Sequence, residues 1–241
     1  MNNKDINNNP GELNTTLLTE LLIKYSKETD ISQWDMGASS SRDLSVQVQN
    51  GKAKQLKGSQ RNSMTLRVWN NNKVGITSTS DLTTEGIKKA MYGAIDASFF
   101  GNENESPEFS SLAKCPIKEI SLKISKEHDI DELLTMLKDA ENKLLASHSS
   151  IDSVPYNGLN QTYMERLYIN SDGANRYMKL SQSSIYLYAK AQLENKKPRS
   201  AGSIRVNSEL DKLNIKSCIK ETSSKLISHL NYKAIETNKY L

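Results

Sequence analysis

Metal and thiol chemistry have little to work with in this sequence. Its 241 residues hold two cysteines and three histidines. Cys115 and Cys218 make no C-x-x-C pair, and two such thiols in a chain without an export signal read as reduced. Cys218 falls on the apolar side of a helix, whereas Cys115 precedes Pro116 in a polar stretch. His128, His148 and His229 stand apart, none within five residues of another histidine or a cysteine. Helical zinc sites need close pairs such as H-E-x-x-H. The spacing leaves these three as capping or surface histidines. His148 and His229 sit near helix C-termini, where the dipole favours an imidazolium, and His128 lies just before a helix.

Other absences narrow the field further. No apolar run approaches the roughly 18–20 residues that cross a bilayer, and the Asn-rich start has no apolar signal-peptide core. A cytoplasmic location is expected, with no membrane partner, so the sequons at Asn14 and Asn160 carry no meaning. No G-x-S-x-G, Walker loop or G-x-G-x-x-G occurs among the eleven glycines. Ser111 and Lys114 match S-x-x-K but lack the accompanying S-D-N and K-T-G. Lys and Arg exceed Asp and Glu by only 32 to 28, and the densest basic group, Lys196-Lys197-Pro198-Arg199, reads as a solvated loop. Nucleic-acid binders cluster their cations, so nucleic acid is an unlikely partner. No catalytic or metal-binding residue is assigned, and the substrate-binding residues are left unknown.

What the chain does have is patterned. Leu17, Leu18, Leu21, Leu22 and Tyr25 recur at helical spacing. The period then drops to two at Leu44, Val46 and Val48, and Asn50-Gly51 follows, the strongest short hairpin signal. Further strands are expected at 53–57, 64–70 and 73–79, with a turn at Asn70-Asn71-Asn72. Thr83 reads as a helix N-cap with Glu85 in the first turn, ahead of a stripe of Ile87, Met91, Ala94, Ile95 and Phe99. The polar stretch 101–118 reads as a linker. Beyond it, Asp129 and Asp131 open a helix striped by Leu133, Leu137, Ala140 and Leu144. Strands at 163–170, 174–180 and 183–193 follow, with a turn at Ser171-Asp172-Gly173. A loop over 196–202 and a last helix through Leu213, Cys218 and Leu226 complete the pattern.

The expected fold is α+β: two successive two-layer units, each an antiparallel sheet packed with helices. The expected boundaries are a disordered tail at 1–14, a first domain at 15–100, a linker at 101–118, a middle domain at 119–232, and a truncated start of a further domain at 233–241. Tyr163, Tyr168, Tyr177, Tyr186 and Tyr188 interleave with Arg166, Arg176 and Lys179 in the second set of strands. Such a face could stack bases or pair an extended peptide, or the tyrosines could simply suit half-buried strands.

The run from Ser45 to Ala97 contains S-V-Q-V-Q-N-G-K, then T-L-R-V-W-N-N-N-K-V-G-I-T-S-T-S-D-L-T, then a helix. It resembles the N-terminal domain of the TldD/PmbA (TldE) family, also known as modulators of DNA gyrase. Residues 170–173, N-S-D-G, are similar to a turn of that family's middle domain. The pattern is closer to the PmbA/TldE branch than to TldD. The resemblance implies a metallopeptidase-type system cutting unfolded or extended peptides, in which a TldD-type subunit supplies zinc from an H-E-x-x-x-H-type site in its later sequence. No family zinc ligand maps onto a residue here. The expected role is therefore a non-catalytic N-terminal portion that shapes the substrate chamber and subunit contacts, with no cofactor of its own. Whether the chain is itself an enzyme stays open on these grounds. The alternative is a stand-alone binding module for nucleic acid or a gyrase-like partner.

Overall fold

A computed structural model describes residues 13–103, 108–115, 124–232 and 237. The expected tail and the expected start of a further domain fall outside these, save for Leu13, Asn14 and Thr237. The element order is α1 (Thr15–Glu28), β1 (Gln33–Gln49), β2 (Lys52–Asn70), β3 (Lys73–Thr79) and α2 (Thr84–Phe99), then α3 (Ile130–Leu145), β4 (Ile151–Asn170), β5 (Asn175–Ala191), β6 (Arg199–Asn207) and α4 (Ile215–Leu230). Helix, three strands and helix thus occur twice, and the fold is α+β as expected. The strands hydrogen-bond in the order β3-β2-β1-β4-β5-β6.

Local chemistry sets the element ends. Asn50 and Gly51 adopt φ of 52° and 70°, the positive values that a type I′ turn requires. Asn71 and Asn72 turn the chain again at 49° and 59°, and Gly173 does so at 91°. The Thr83 side chain accepts from Gly86 N at the start of α2. Asp129 and Glu132 form a reciprocal capping box at α3, worth roughly 1 kcal/mol as caps go.

Packing divides the chain into two compact units, and each draws on three segments. The first holds residues 1–42, 59–122 and 163–180; the second holds 43–58, 123–162 and 181–241. This differs from the linear division at 101–118 that composition suggests. The reason is strand length: β1, β2, β4 and β5 run from 17 to 20 residues, and each passes from one unit into the other. The sequence pattern breaks β2 and β5 in two and starts β1 and β4 late. Residues 52–63 of β2 bury no apolar side chain, so alternation cannot reveal that stretch. Backbone pairing alone carries the strand through. Its lysines, Lys52, Lys54 and Lys57, discourage further pairing along an exposed edge.

In the first unit, Trp34 and Met36 of β1 and Leu66 and Val68 of β2 pack on Leu18 and Leu22 of α1 and Ile87 and Met91 of α2. In the second, Val46, Val48, Ile185 and Leu187 pack on Leu133 and Leu137 of α3 and on Cys218 and Leu226 of α4. Each such side chain contributes about 1.5–3 kcal/mol by leaving water. Phe99, expected in the α2 stripe, is 61% exposed. Strand β6 takes up part of the expected 196–202 loop and continues to Asn207, and α4 begins at Ile215, just after Leu213 of the expected last helix. The only buried residue of β6 is Ala201, so it shows no apolar period on the core side.

The turns are anchored as well as bent. Asn50 N and Gly51 N donate to the Glu141 carboxylate at 3.2 and 2.7 Å, which explains a buried acid on the core stripe of α3. Ser171 N donates to Trp34 O at 2.9 Å, and Trp34 N donates to Ser171 Oγ at 3.2 Å. The first hairpin's tip therefore belongs to the second unit, and the second hairpin's tip to the first.

Candidate functional site

Successive strand residues point to opposite sides, so the core of the first unit defines a second face, turned away from α1 and α2. Asp35, Gly37 and Ser39 alternate with Met36 and Ala38 on β1. Ser63, Thr65, Arg67 and Trp69 alternate with Met64, Leu66 and Val68 on β2. Arg166 and Tyr168 alternate with Leu167 and Ile169 on β4.

Asp35 is buried on this face, and a buried carboxylate is costly without partners. Arg67 supplies them, with Nε donating to Oδ1 at 2.8 Å and Nη2 donating to Oδ2. Tyr168 Oη donates to the same Oδ2 at 3.3 Å. The hydrogen bond that Arg67 donates to Asp35 holds its guanidinium more firmly protonated than usual. Burial first, and the Asp35 charge second, push the Tyr168 phenol above its ordinary value. Arg67 also lies 5.4 Å from the Trp69 ring centroid, and Trp69 meets Phe109 edge-on at 5.9 Å. Three strands and the segment after α2 are thereby braced at one end of the face.

Beside this brace lies a hollow of about 430 Å³, lined among others by Gly37, Ser39, Arg166, Tyr168, Tyr177 and Met178. Ser39 and Ser63, whose hydroxyls are 2.9 Å apart, border both it and a second hollow of about 960 Å³ reaching Arg61, Asn62 and Ser80. Arg176, at the rim, donates to the carbonyls of Leu112 and Cys115 at 3.3 and 2.9 Å. The described part of the expected linker is thus tied to the second hairpin, and Lys114 pairs with Asp172 at 3.3 Å.

The tyrosine set proposed from sequence is split. Tyr168 and Tyr177 reach the hollow with Arg166 and Arg176. Tyr163 faces the Arg42 guanidinium, and Lys179 pairs with Glu165 at 2.8 Å. Tyr186 and Tyr188 belong to the second unit, where Tyr186 Oη accepts from Gln47 Nε2 at 3.0 Å. Sequence reasoning missed Asp35, Gly37, Ser39, Ser63 and Arg67. The signal was the alternation in W-D-M-G-A-S, masked by a glycine and two small polar residues.

Among the described residues no three His, Cys, Asp or Glu side chains come together to hold an ion. His128 has two acidic neighbours, but Glu132 lies 3.1 Å from Nδ1 and Asp211 lies 3.7 Å from Nε2. Carboxylates on opposite ring nitrogens cannot converge on one metal. His148 accepts from Ser150 N, and His229 sits at the end of α4. Cys218 is buried, and burial pushes its thiol up, while Cys115 is exposed.

The architecture places the chain in a class of α+β proteins built on long, shared hairpins. Residues 34–98 match the model of the PmbA/TldA metallopeptidase domain 1, and residues 123–230 match that of the central domain. The chain belongs to the TldD/PmbA family. A search of curated sequences finds no match. Among solved structures, a protein named as a modulator of DNA gyrase from Thermotoga maritima MSB8 superposes with a TM-score of 0.76 at 16% identity, covering 92% of this chain and 50% of that one. A namesake from Bacteroides thetaiotaomicron VPI-5482 gives 0.78 at 15%, with 93% and 52% covered. TldE from Thermococcus kodakarensis gives 0.76 at 16%, with 87% and 47% covered. These likenesses establish the fold. The chain spans about half the length of these proteins. No helix among the described residues is long and apolar enough to cross a membrane.

Proposed function

We propose that this chain is a non-catalytic, substrate-holding portion of a TldD/PmbA-type metallopeptidase system, of the PmbA/TldE kind and cytoplasmic. Its partner is a TldD-type subunit that supplies the zinc and the cutting chemistry, and its ligand is an unfolded or extended peptide. The observation that supports this reading is the face of the first unit turned away from α1 and α2. It offers hydroxyls at Ser39 and Ser63, a guanidinium at Arg166 and exposed tyrosines around two hollows that share Ser39 and Ser63. Such a surface suits a chain with free backbone amides and mixed side chains. A net charge of +4 offers little to a DNA backbone, whose binding draws on clustered cations.

The test uses the purified chain with a reduced, carboxymethylated protein as the unfolded substrate. The chain alone should bind it and leave it intact, and cleavage should begin when a TldD-type subunit is added. One zinc per chain together with chelator-sensitive cleavage by this chain alone would overturn the reading. Tight DNA binding that weakens steeply with salt would replace it with a nucleic-acid module.

A further inference from the structure

The hollow on the first unit carries a charge imbalance. Among the described residues its lining includes Arg166 and no carboxylate. Nearby charges are already matched: Asp35 by Arg67, and Glu165 by Lys179. Arg176 is held at the rim, where it donates to main-chain carbonyls. Arg166 is exposed, and its hydrogen bond runs from Nε to Met164 Sδ at 3.1 Å, a thioether being a weak acceptor. No ion pair forms between Arg166 and a carboxylate of the described residues. Its planar fork of N–H donors is suited to two parallel bonds to a carboxylate.

Around that cation the walls are apolar and open. Tyr168, Tyr177 and Met178 remain 36%, 42% and 46% exposed. A β-carbon on Gly37 would meet nothing within 4 Å, so the floor is vacant where a larger residue would fill it. A thioether and two phenol rings together favour an aromatic or large apolar group. A volume of about 430 Å³ suits one such group and its attached anion rather than a folded partner.

We propose that this hollow is a subsite for an aromatic side chain with a carboxylate beside it, the ring between Tyr168 and Met178 and the anion on Arg166. The inference rests on the peptide-holding reading and refines it by naming what the peptide must carry. The carboxylate can come from a peptide's C-terminus or from an adjacent Glu or Asp.

The chemistry is tested first without a peptide. Titration of the full chain with 3-phenylpropionate and with neutral 3-phenylpropanol, followed by NMR, should shift resonances of Tyr168, Tyr177 and Met178, with the acid binding more tightly. Arg166→Gln should weaken the acid about tenfold or more, as loss of a charge-assisted pair does, and leave the alcohol unchanged. Arg166→Lys, which keeps the charge and loses the fork, should fall between. Gly37→Val, away from the guanidinium, should weaken both by filling the floor. Equal binding of acid and alcohol, indifference to Arg166→Gln, or no shifts at the hollow would overturn the subsite.

Three peptides then separate the sources: acetyl-Gly-Gly-Phe as free acid, the same peptide amidated, and amidated acetyl-Gly-Glu-Phe-Gly. Preference for the first alone assigns a C-terminal reader. Equal preference for the first and third assigns any adjacent carboxylate. Tight 3-phenylpropionate binding with no peptide binding would instead remove the peptide-holding reading and keep the aryl-carboxylate site. Peptide binding unaffected by Arg166→Gln would do the reverse.

Discussion

Gly37 in the first unit and Gly158 in the second both interrupt long strands on the side of the sheet away from the core, and their surroundings are opposite. Nothing lies within 4 Å of a β-carbon built on Gly37. At Gly158 that carbon would sit 2.4 Å from Tyr186 Cε1. Gly202 repeats the second arrangement, with Tyr188 Cδ2 at 2.7 Å. Register explains the case of Gly202, since Tyr188 stands directly opposite it. Tyr156 meets Tyr188 edge-on at 5.9 Å. In the second unit glycine makes room for aromatic rings that patch a weak strand position. In the first unit no ring takes the space, and a hollow results. The same residue type therefore closes one face and opens the other.

The sharpest way to probe the contrast between covered and open sides is to place a charge on each. Leu66→Asp, in the core of the first unit, should cost several kcal/mol, because a buried unpaired carboxylate has no compensation there. Thr65→Asp, one residue away on the open face, should cost far less. Chemical denaturation of the two variants decides the matter. Equal losses would mean that both sides of this sheet are covered in solution.

Glycine replacement comes next in size. Gly158→Ala should destabilise by about 1–3 kcal/mol, the usual range for overpacking, since the Tyr186 ring must move. Gly37→Ala should cost nothing and could gain about 0.5–1 kcal/mol from lost unfolded-state freedom. A matching loss at both positions would erase the distinction between patched and vacant glycines.

The smallest effects are electrostatic, and they fall at opposite ends of the pH scale. In the second unit, Lys225 first and Arg205 second hold the Glu221 carboxyl down to about 2. A lowered carboxyl contributes stability above its unfolded value, and that contribution is lost as pH falls towards 2. Glu221→Gln should flatten the acid limb of the stability profile in that window. Tyr168, in the first unit, is raised, so its contribution is present below the unfolded value of about 10 and fades as pH climbs through the folded one. Tyr168→Phe should remove one late-ionising phenol from the alkaline absorbance titration. Unchanged limbs in both variants would show that neither group is linked to folding.

Legibility followed burial. Helices α1, α2 and α3 were readable because Leu18, Leu22, Ile87, Met91, Leu133 and Leu137 all face a core. Strand β3 and the Asn50-Gly51 turn were readable from alternation and backbone preference. Residues 58–63 of β2 and nearly all of β6 were not, because their side chains have no core to report on. The hollow was half visible. Tyr168, Tyr177, Arg166 and Arg176 stood out by type, while Gly37, Ser39 and Ser63 act through smallness and position. Which tyrosines would share a unit depended on strands crossing between units, and no local pattern records that.

The shared hairpins also impose an order of events on a chain being made. By residue 99 the growing polypeptide contains α1, β1, β2, β3 and α2. The compact unit they enter still lacks residues 163–180, which supply Leu167 and Ile169 to its core. Asn50 and Gly51 likewise wait for Glu141. Neither half of the nascent chain can therefore mature alone, and the early half must keep its sheet edge unfinished until the late half is synthesised. Such long-range closure slows folding and lengthens exposure to misassembly. A ribosome that pauses between residues 100 and 160 would hold this protein at its most vulnerable moment.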